Sequence, residues 1–193
     1  MRPLRTLVPL VLIAGLATAC GSGSSSAGAS GPAPSTQALQ MRPVYARYAV
    51  GAPLGGPQLG GQQVSNELVD TMKKFDCSSG TQDVQGMLMV CDSLGTVFLL
   101  KDPLVTGGVA TADAKAIHGE KLWWVEVGLD PEAKSALSNI VDTMPGTELA
   151  LVVNDHVISA PIVDSSMKDG TLGVTGDYHE KQAKALAAQL TKN

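Results

Sequence analysis

Leu149 to Leu190 reads LALVVNDHVISAPIVDSSMKDGTLGVTGDYHEKQAKALAAQL. Two apolar runs, 148–153 and 156–160, flank Asn154-Asp155. Asn and Asp tolerate positive φ, so the pair predicts a two-residue turn and a β-hairpin. In the second run Val157, Ile158 and Ala160 send side chains to the two faces of a sheet. Pro161 has no N–H and stops the ladder. Residues 170–175 predict another short strand, with Gly170, Gly173 and Gly176 allowing tight turns or close backbone approach. Asp177 and Glu180 then have the spacing of a capping box, which predicts a last helix from about Tyr178 to Leu190.

Upstream the same mixture continues. Asp130-Pro131-Glu132 is an N-cap, a proline at the first helical position and an acid in the first turn. Ala133, Leu137, Ile140, Val141 and Met144 form one stripe, and Pro145-Gly146 ends that helix. Lys121 to Leu129 alternates and carries two Trp, so it predicts a strand. Ala110 to His118 is an Ala-rich strand candidate. Met87 to Cys91 and Thr96 to Leu100 flank Asp92-Ser93-Leu94-Gly95 and read as a hairpin. Val64, Leu68, Met72 and Phe75 mark an amphipathic helix over 63–75. Met41 to Val50 reads as a strand, and Gly51 to Gly61 as a loop. That loop lacks the Lys-Ser/Thr of a phosphate loop. Strands and helices are intermixed, with about three helices and antiparallel hairpins, which defines an α+β domain.

The N-terminus has a different character. Arg2 and Arg5 precede a short apolar core, Leu7 to Leu16, followed by Ala17-Thr18-Ala19 and Cys20. This is the plan of a secretory signal. The core is too short to cross roughly 30 Å of hydrocarbon. A Cys directly after small residues resembles the bacterial lipobox, in which the thiol receives a diacylglyceryl group and the signal is cut before it. Ala17 departs from the pattern, since Leu is commoner there. Residues 1–19 are therefore expected to be a lipoprotein signal peptide, with Cys20 as the anchor. The next segment, 20–40, is rich in Gly, Ser, Ala and Pro and cannot offset its ordering entropy by burial. It is expected to be a tether reaching on the order of 20–25 Å. Residues 41–193 are the expected domain. The expected location is the extracytoplasmic face of the cell membrane, held by lipid.

Composition bounds the function. The formal charge is −4, and loss of the signal's two arginines makes the mature chain more acidic still. That argues against nucleic acid and against a polybasic grip on anionic lipid. An apolar fraction of 44% is enough for a real core. With Cys20 assigned to lipid, Cys77 and Cys91 remain, and in an oxidising compartment they read as one disulfide. A ring of about 15 residues is worth about 3 kcal/mol. The alternatives are a metal or redox pair. Metal needs two further ligands, and His118, His156 and His179 show no ligand spacing to the cysteines. A redox pair usually has Cys-x-x-Cys spacing.

The stretch 149–190 resembles the end of the head subdomain in the first periplasmic domain of SecD, the membrane protein that works with SecF in protein export. The pieces that carry it are Val157-Ile158-Ser159-Ala160-Pro161, the Gly-rich segment Gly170 to Gly176, and the final helix. Further up, VEVGLDPEAKSAL, FLLKDPLVTG and Met41-Arg42-Pro43-Val44 resemble other family segments, and Asp102 stands where the family has Gly. The resemblance covers about 41–191. It implies an α+β head outside the membrane, in contact with exported polypeptides or translocon subunits. SecD's six transmembrane helices, which carry its proton coupling, have no counterpart in this sequence.

No catalytic set emerges. Ser159 lies in no Gly-x-Ser-x-Gly elbow. His156 and His179 read as exposed structural residues. Neither a cofactor nor a metal is expected. Adjacent Trp123 and Trp124 point to opposite faces of a strand. One belongs in the core, and Trp124 is the candidate apolar contact. The polar loop Pro161 to Gly170 offers Asp164, Ser165 and Lys168 as further partner contacts, or is an ordinary solvated loop. Two functions stay open. One is a non-enzymatic binding module that assists export. The other is a repurposed envelope lipoprotein, structural or ligand-binding, unconnected with export.

Overall fold

The computed structural model describes residues 38–50 and 64–192. The signal, Cys20, most of the tether and the Gly51 to Gly61 loop lie outside the described residues. Strand β1 (Gln40–Tyr48) is followed by helix α1 (Asn66–Lys74) and then by β2 (Gln82–Val84), β3 (Met87–Asp92), β4 (Val97–Leu100), β5 (Val105–Thr106), β6 (Val109–Ala116) and β7 (Trp123–Leu129). Helix α2 (Pro131–Thr143), β8 (Leu149–Val153), β9 (His156–Ser159), β10 (Thr171–Tyr178) and helix α3 (Glu180–Leu190) complete the order. The α+β expectation holds, and so do all three helices. Asp130 caps α2 through a 2.9 Å bond from Ala133 N to its Oδ1. The β8–β9 turn has φ of 47° at Asn154 and 62° at Asp155, as the residue types require.

The strands form two sheets rather than one. The larger runs β2–β3–β4–β1–β8–β9, with β5 beside the start of β1. Strand β9 then returns to β3, pairing Cys91 with His156 and Asp92 with Val157 in parallel. This closes β3, β4, β1, β8 and β9 into a small barrel. Its interior holds Val44, Leu88, Val90, Phe98, Leu100, Ala150, Val152 and Val157, all buried. A bulge in β1 makes the closure possible. Val44 pairs Leu100 and Ala46 pairs Leu99, so Tyr45 is an extra residue. The bulge puts Val44 inside the barrel and Ala46 outside it, on faces that simple alternation would not separate.

Two clusters cover the barrel's outside. Helix α1 lays Leu68 and Met72 over Met89, Cys91, Val97 and Leu99. The disulfide Cys77–Cys91, Cα atoms 5.6 Å apart, ties the segment after α1 to β3. On the other side Met41, Leu149, Leu151 and Val153 join the second sheet and two helices in the main core. The second sheet is antiparallel, in the order β10–β7–β6. Its inner face gives Val125, Val127, Leu172 and Val174, and α2 and α3 fill the space between it and the barrel with Leu137, Ile140, Ala183, Ala187 and Leu190.

Two readings of the sequence need correction. The last helix does not begin at Tyr178. Strand β10 continues to Tyr178, whose hydroxyl donates to the Ile158 carbonyl at 3.2 Å. His179 becomes the cap, and Gln182 Oε1 accepts from His179 N at 2.9 Å, so the reciprocal partner is Gln182 rather than Glu180. The Pro161 to Gly170 segment is not a simple solvated loop. It holds a short 3-10 helix, Ser165–Asp169, and buries Val163 and Met167. Strands β2 and β5 are too short to leave a pattern in the sequence.

Candidate functional site

The Val157 to Pro161 segment borders a cleft of about 510 Å³. Its walls come from three places. Phe98 and Val157 belong to the barrel interior, so the cleft lies over one mouth of the barrel. The β3–β4 turn contributes Leu94, which is 81% exposed. Strand β10 contributes Gly173, Thr175, Gly176 and Asp177. The tight turn under Leu94 is held by Asp92, whose Oδ1 accepts from Leu94 N at 2.9 Å and Thr96 N at 2.8 Å. Gly176 is required where it stands. A Cβ there would lie 2.9 Å from the Tyr178 ring, which packs back over this position. Burial pushes the Tyr178 hydroxyl pKa up.

Arg47 and Glu148 are the ion pair of the cleft. Arg47 Nη1 donates to Glu148 Oε1 at 2.9 Å, with the arginine side chain 50% exposed and the glutamate only 2%. Glu148 is placed by its backbone. Its carbonyl accepts from Val44 N at 2.9 Å, and it bridges to Ile162 just before β8. Its second oxygen, Oε2, is buried and has no hydrogen-bond partner among the described residues. Burial pushes the Glu148 carboxyl up from the ordinary glutamate value, and Arg47 opposes that shift. Among the described residues the charged side chains at the cleft are Arg47 against Asp92, Glu148 and Asp177, so this lining is acidic.

Two strand edges border the cleft, and the Tyr178 hydroxyl at the end of one donates to the Ile158 carbonyl of the other. Strand β10 is the edge of its sheet. Strand β9 pairs β3 only as far as Val157, and its remaining partner is β8. A second hollow of about 620 Å³, bounded by Pro43, Tyr45, Lys101 and Met144 among others, has no buried charged side chain among the described residues.

The residues singled out in the sequence fall in two other places. Trp124 is half-buried on the outer face of the smaller sheet, with Lys115 Nζ 5.7 Å from its ring centroid. Trp123 packs against the main core, so the two do face opposite ways. Trp124 adjoins the cleft through Gly173, whose Cβ would lie 3.5 Å from the Trp124 ring. Asp164, Ser165 and Lys168 lie apart from it. Asp164 caps the 3-10 helix through its bonds from the Ser166 hydroxyl and N–H, which hold its carboxyl below the usual value. Ser165 is exposed, and Lys168 pairs with Asp142 on α2. His118, His156 and His179 are exposed. Arg47, Leu94 and Glu148 were not singled out by the sequence. The one available signal was an acid set directly before the uniformly apolar run 149–153.

Residues 84–193 match the family model of the SecDF P1 head subdomain. The chain belongs to the SecDF P1 head family. Two solved structures share its fold. One is described as the structure and function of a membrane component SecDF that enhances protein export, with 16% identity and a TM-score of 0.50. The match covers 81% of this chain and 62% of that one. The other, a crystal structure of SecDF in a super-membrane-facing form, has 17% identity and a TM-score of 0.50 over 81% of this chain and 19% of that one. The chain thus spans part of each SecDF protein. No curated protein sequence matches it. SecDF P1 heads are not a family of enzymes. Among the described residues no helix is long and apolar enough to cross a membrane, and no cluster of His, Cys, Asp and Glu could hold a metal.

Proposed function

We propose that this SecDF P1 head works outside the cytoplasm as a lipid-anchored binding module that holds extended polypeptide segments, as an accessory to protein export. The observation that carries the reading is the cleft with a strand edge on each side. An extended chain adds to such edges through main-chain hydrogen bonds. The apolar walls at Leu94, Phe98 and Val157 give it side-chain contacts without a demanding sequence. The Cys77–Cys91 disulfide supports an oxidising compartment. The signal-like N-terminus and Cys20 support attachment by lipid, with the tether setting the domain's distance from the membrane. The related SecDF is described as enhancing protein export, which supports the pathway. Trp124, beside Gly173, extends the contact surface past the cleft.

The test is photo-crosslinking in cells from Leu94, Ser159 and Trp124 of the full-length chain, with Ser165 as a control away from the cleft. Crosslinks from the first three positions to many unrelated secreted chains or to translocon subunits are expected, and their loss in a Cys20→Ala variant is expected from the anchor. Crosslinks to a single envelope protein, or equal yields from Ser165, overturn the reading and favour a repurposed envelope lipoprotein.

A further inference from the structure

Resting on that reading of the cleft, we propose that it selects segments carrying a lysine or arginine, whose cationic head group donates to the unpartnered oxygen of Glu148.

A carboxylate buried to 2% exposure normally has both oxygens satisfied. Here Oε1 has Arg47 and Oε2 has nothing among the described residues. A buried acceptor without a donor is costly, and no neighbouring side chain removes the cost. A ligand that brings a donor to this point regains what the free protein forgoes.

Charge decides which donor. Three carboxylates and one guanidinium line the cleft, so a neutral amide leaves the excess negative charge in place, whereas a cation balances it. An acidic segment is disfavoured by the same count. Charge-assisted bonds of this kind are about twice as strong as neutral ones. The walls suit the rest of such a side chain. The methylene stem of Lys or Arg can lie along Phe98, Val157 and Ile158 while its head reaches the acid. Arg47 is the half-exposed partner of the pair, so the ion pair opens toward the cleft.

The source of the cation is a polypeptide rather than a small amine. The cleft is flanked by two strand edges, which a main chain can use and a polyamine cannot. Selection would act at one position of an otherwise tolerant site: the strand edges and apolar walls hold any extended segment, and Glu148 ranks segments by what they place beside it.

The experiment uses the purified full chain and fluorescent extended peptides of one apolar sequence. Their central residue is Lys, Gln or Glu, and binding is read by anisotropy at fixed ionic strength. Lys is expected to bind about tenfold more tightly than Gln, with Glu weakest. In Glu148→Gln that Lys advantage is expected to disappear. In Asp177→Asn, at the exposed rim, the advantage is expected to shrink only slightly. Free lysine is expected to compete no better than sodium chloride of equal ionic strength. Equal binding of the Lys and Gln peptides, or a Lys advantage that survives Glu148→Gln, overturns this inference and leaves the polypeptide-binding reading standing. Competition by free lysine also overturns it, since the main chain is then unnecessary. If none of the peptides binds, both readings fall. Circular dichroism of each variant confirms that a lost preference is not lost folding.

Discussion

Removing the disulfide by Cys77→Ser is the sharpest test of how this domain is stabilised. Cys77 is the half-exposed partner and Cys91 is buried at 2% exposure, so the substitution breaks the cross-link with little damage to packing. The remaining Cys91 thiol behaves as a small apolar group between α1 and β3. The bridge spans a separation of 14 residues. Chain entropy for a ring of about 15 residues gives about 3 kcal/mol, acting on the unfolded chain. A domain of this size loses about 3 °C per kcal/mol, so the melting temperature should fall by about 9 °C. Urea titration of oxidised wild type and variant gives the free energy, and thermal scans give the temperature. Hydrogen exchange supplies a second readout. Only Leu68 and Met72 of α1 are buried, so α1 amides should exchange faster than those of β8 once the bridge is gone. A loss under about 1 kcal/mol would refute the reasoning, because it would show that the ring is already restrained in the unfolded chain.

Two further outcomes follow from the packing. Gly108 has φ of +77°, and a Cβ there would lie 2.4 Å from Ala133 Cβ on α2, so Gly108→Val should cost about 2–4 kcal/mol in urea titrations. Glu148 should make stability depend on pH in an unusual direction. Burial raises its pKa in the folded state, so the folded protein holds this proton more tightly than the unfolded chain does. Stability should therefore fall as pH rises from the ordinary glutamate pKa through the raised folded value, and Glu148→Gln should flatten that part of the profile. A profile that rises through the same window in wild type alone would show that Arg47 outweighs burial.

What could be read from the sequence was local. The Asp130-Pro131-Glu132 cap and the Asn154-Asp155 turn each rest on a few adjacent residues, and each holds. The expected alternation around Val157 does not, because the β8–β9 register shifts at Ile158 and leaves Val157 and Ala160 packed in the same cluster. The α+β class and the family resemblance follow from such pieces. What was hidden depends on distant partners. The β3–β9 pairing joins residues such as Cys91 and His156, and nothing in either run announces it. The bulge at Tyr45 is visible only once β4 lies alongside. Asp177 and Glu180 have capping-box spacing but do not form the box, because the contact of Tyr178 with Ile158 keeps the chain extended past Asp177 and passes the cap to His179 and Gln182. The cleft was hidden for the same reason. Glu148 looks like an ordinary acid at a strand entrance until Arg47 and β10 are brought to it from opposite ends of the domain.

The position of β1 also sets a timetable for a chain that emerges N-terminus first. In the barrel β1 lies between β4 and β8. By the time β4 has appeared, β1 has one neighbour, yet the strand that covers its other edge begins only at Leu149. For the intervening stretch the nascent chain carries an open edge and half of a future barrel interior, with Val44 and Leu100 unshielded. Such exposed edges are sticky, and folds dominated by long-range pairing form slowly. The barrel thus cannot close until most of the chain has appeared, and it benefits from a binding partner that covers an unpaired edge during that interval. The cleft proposed here would offer that same service to other chains.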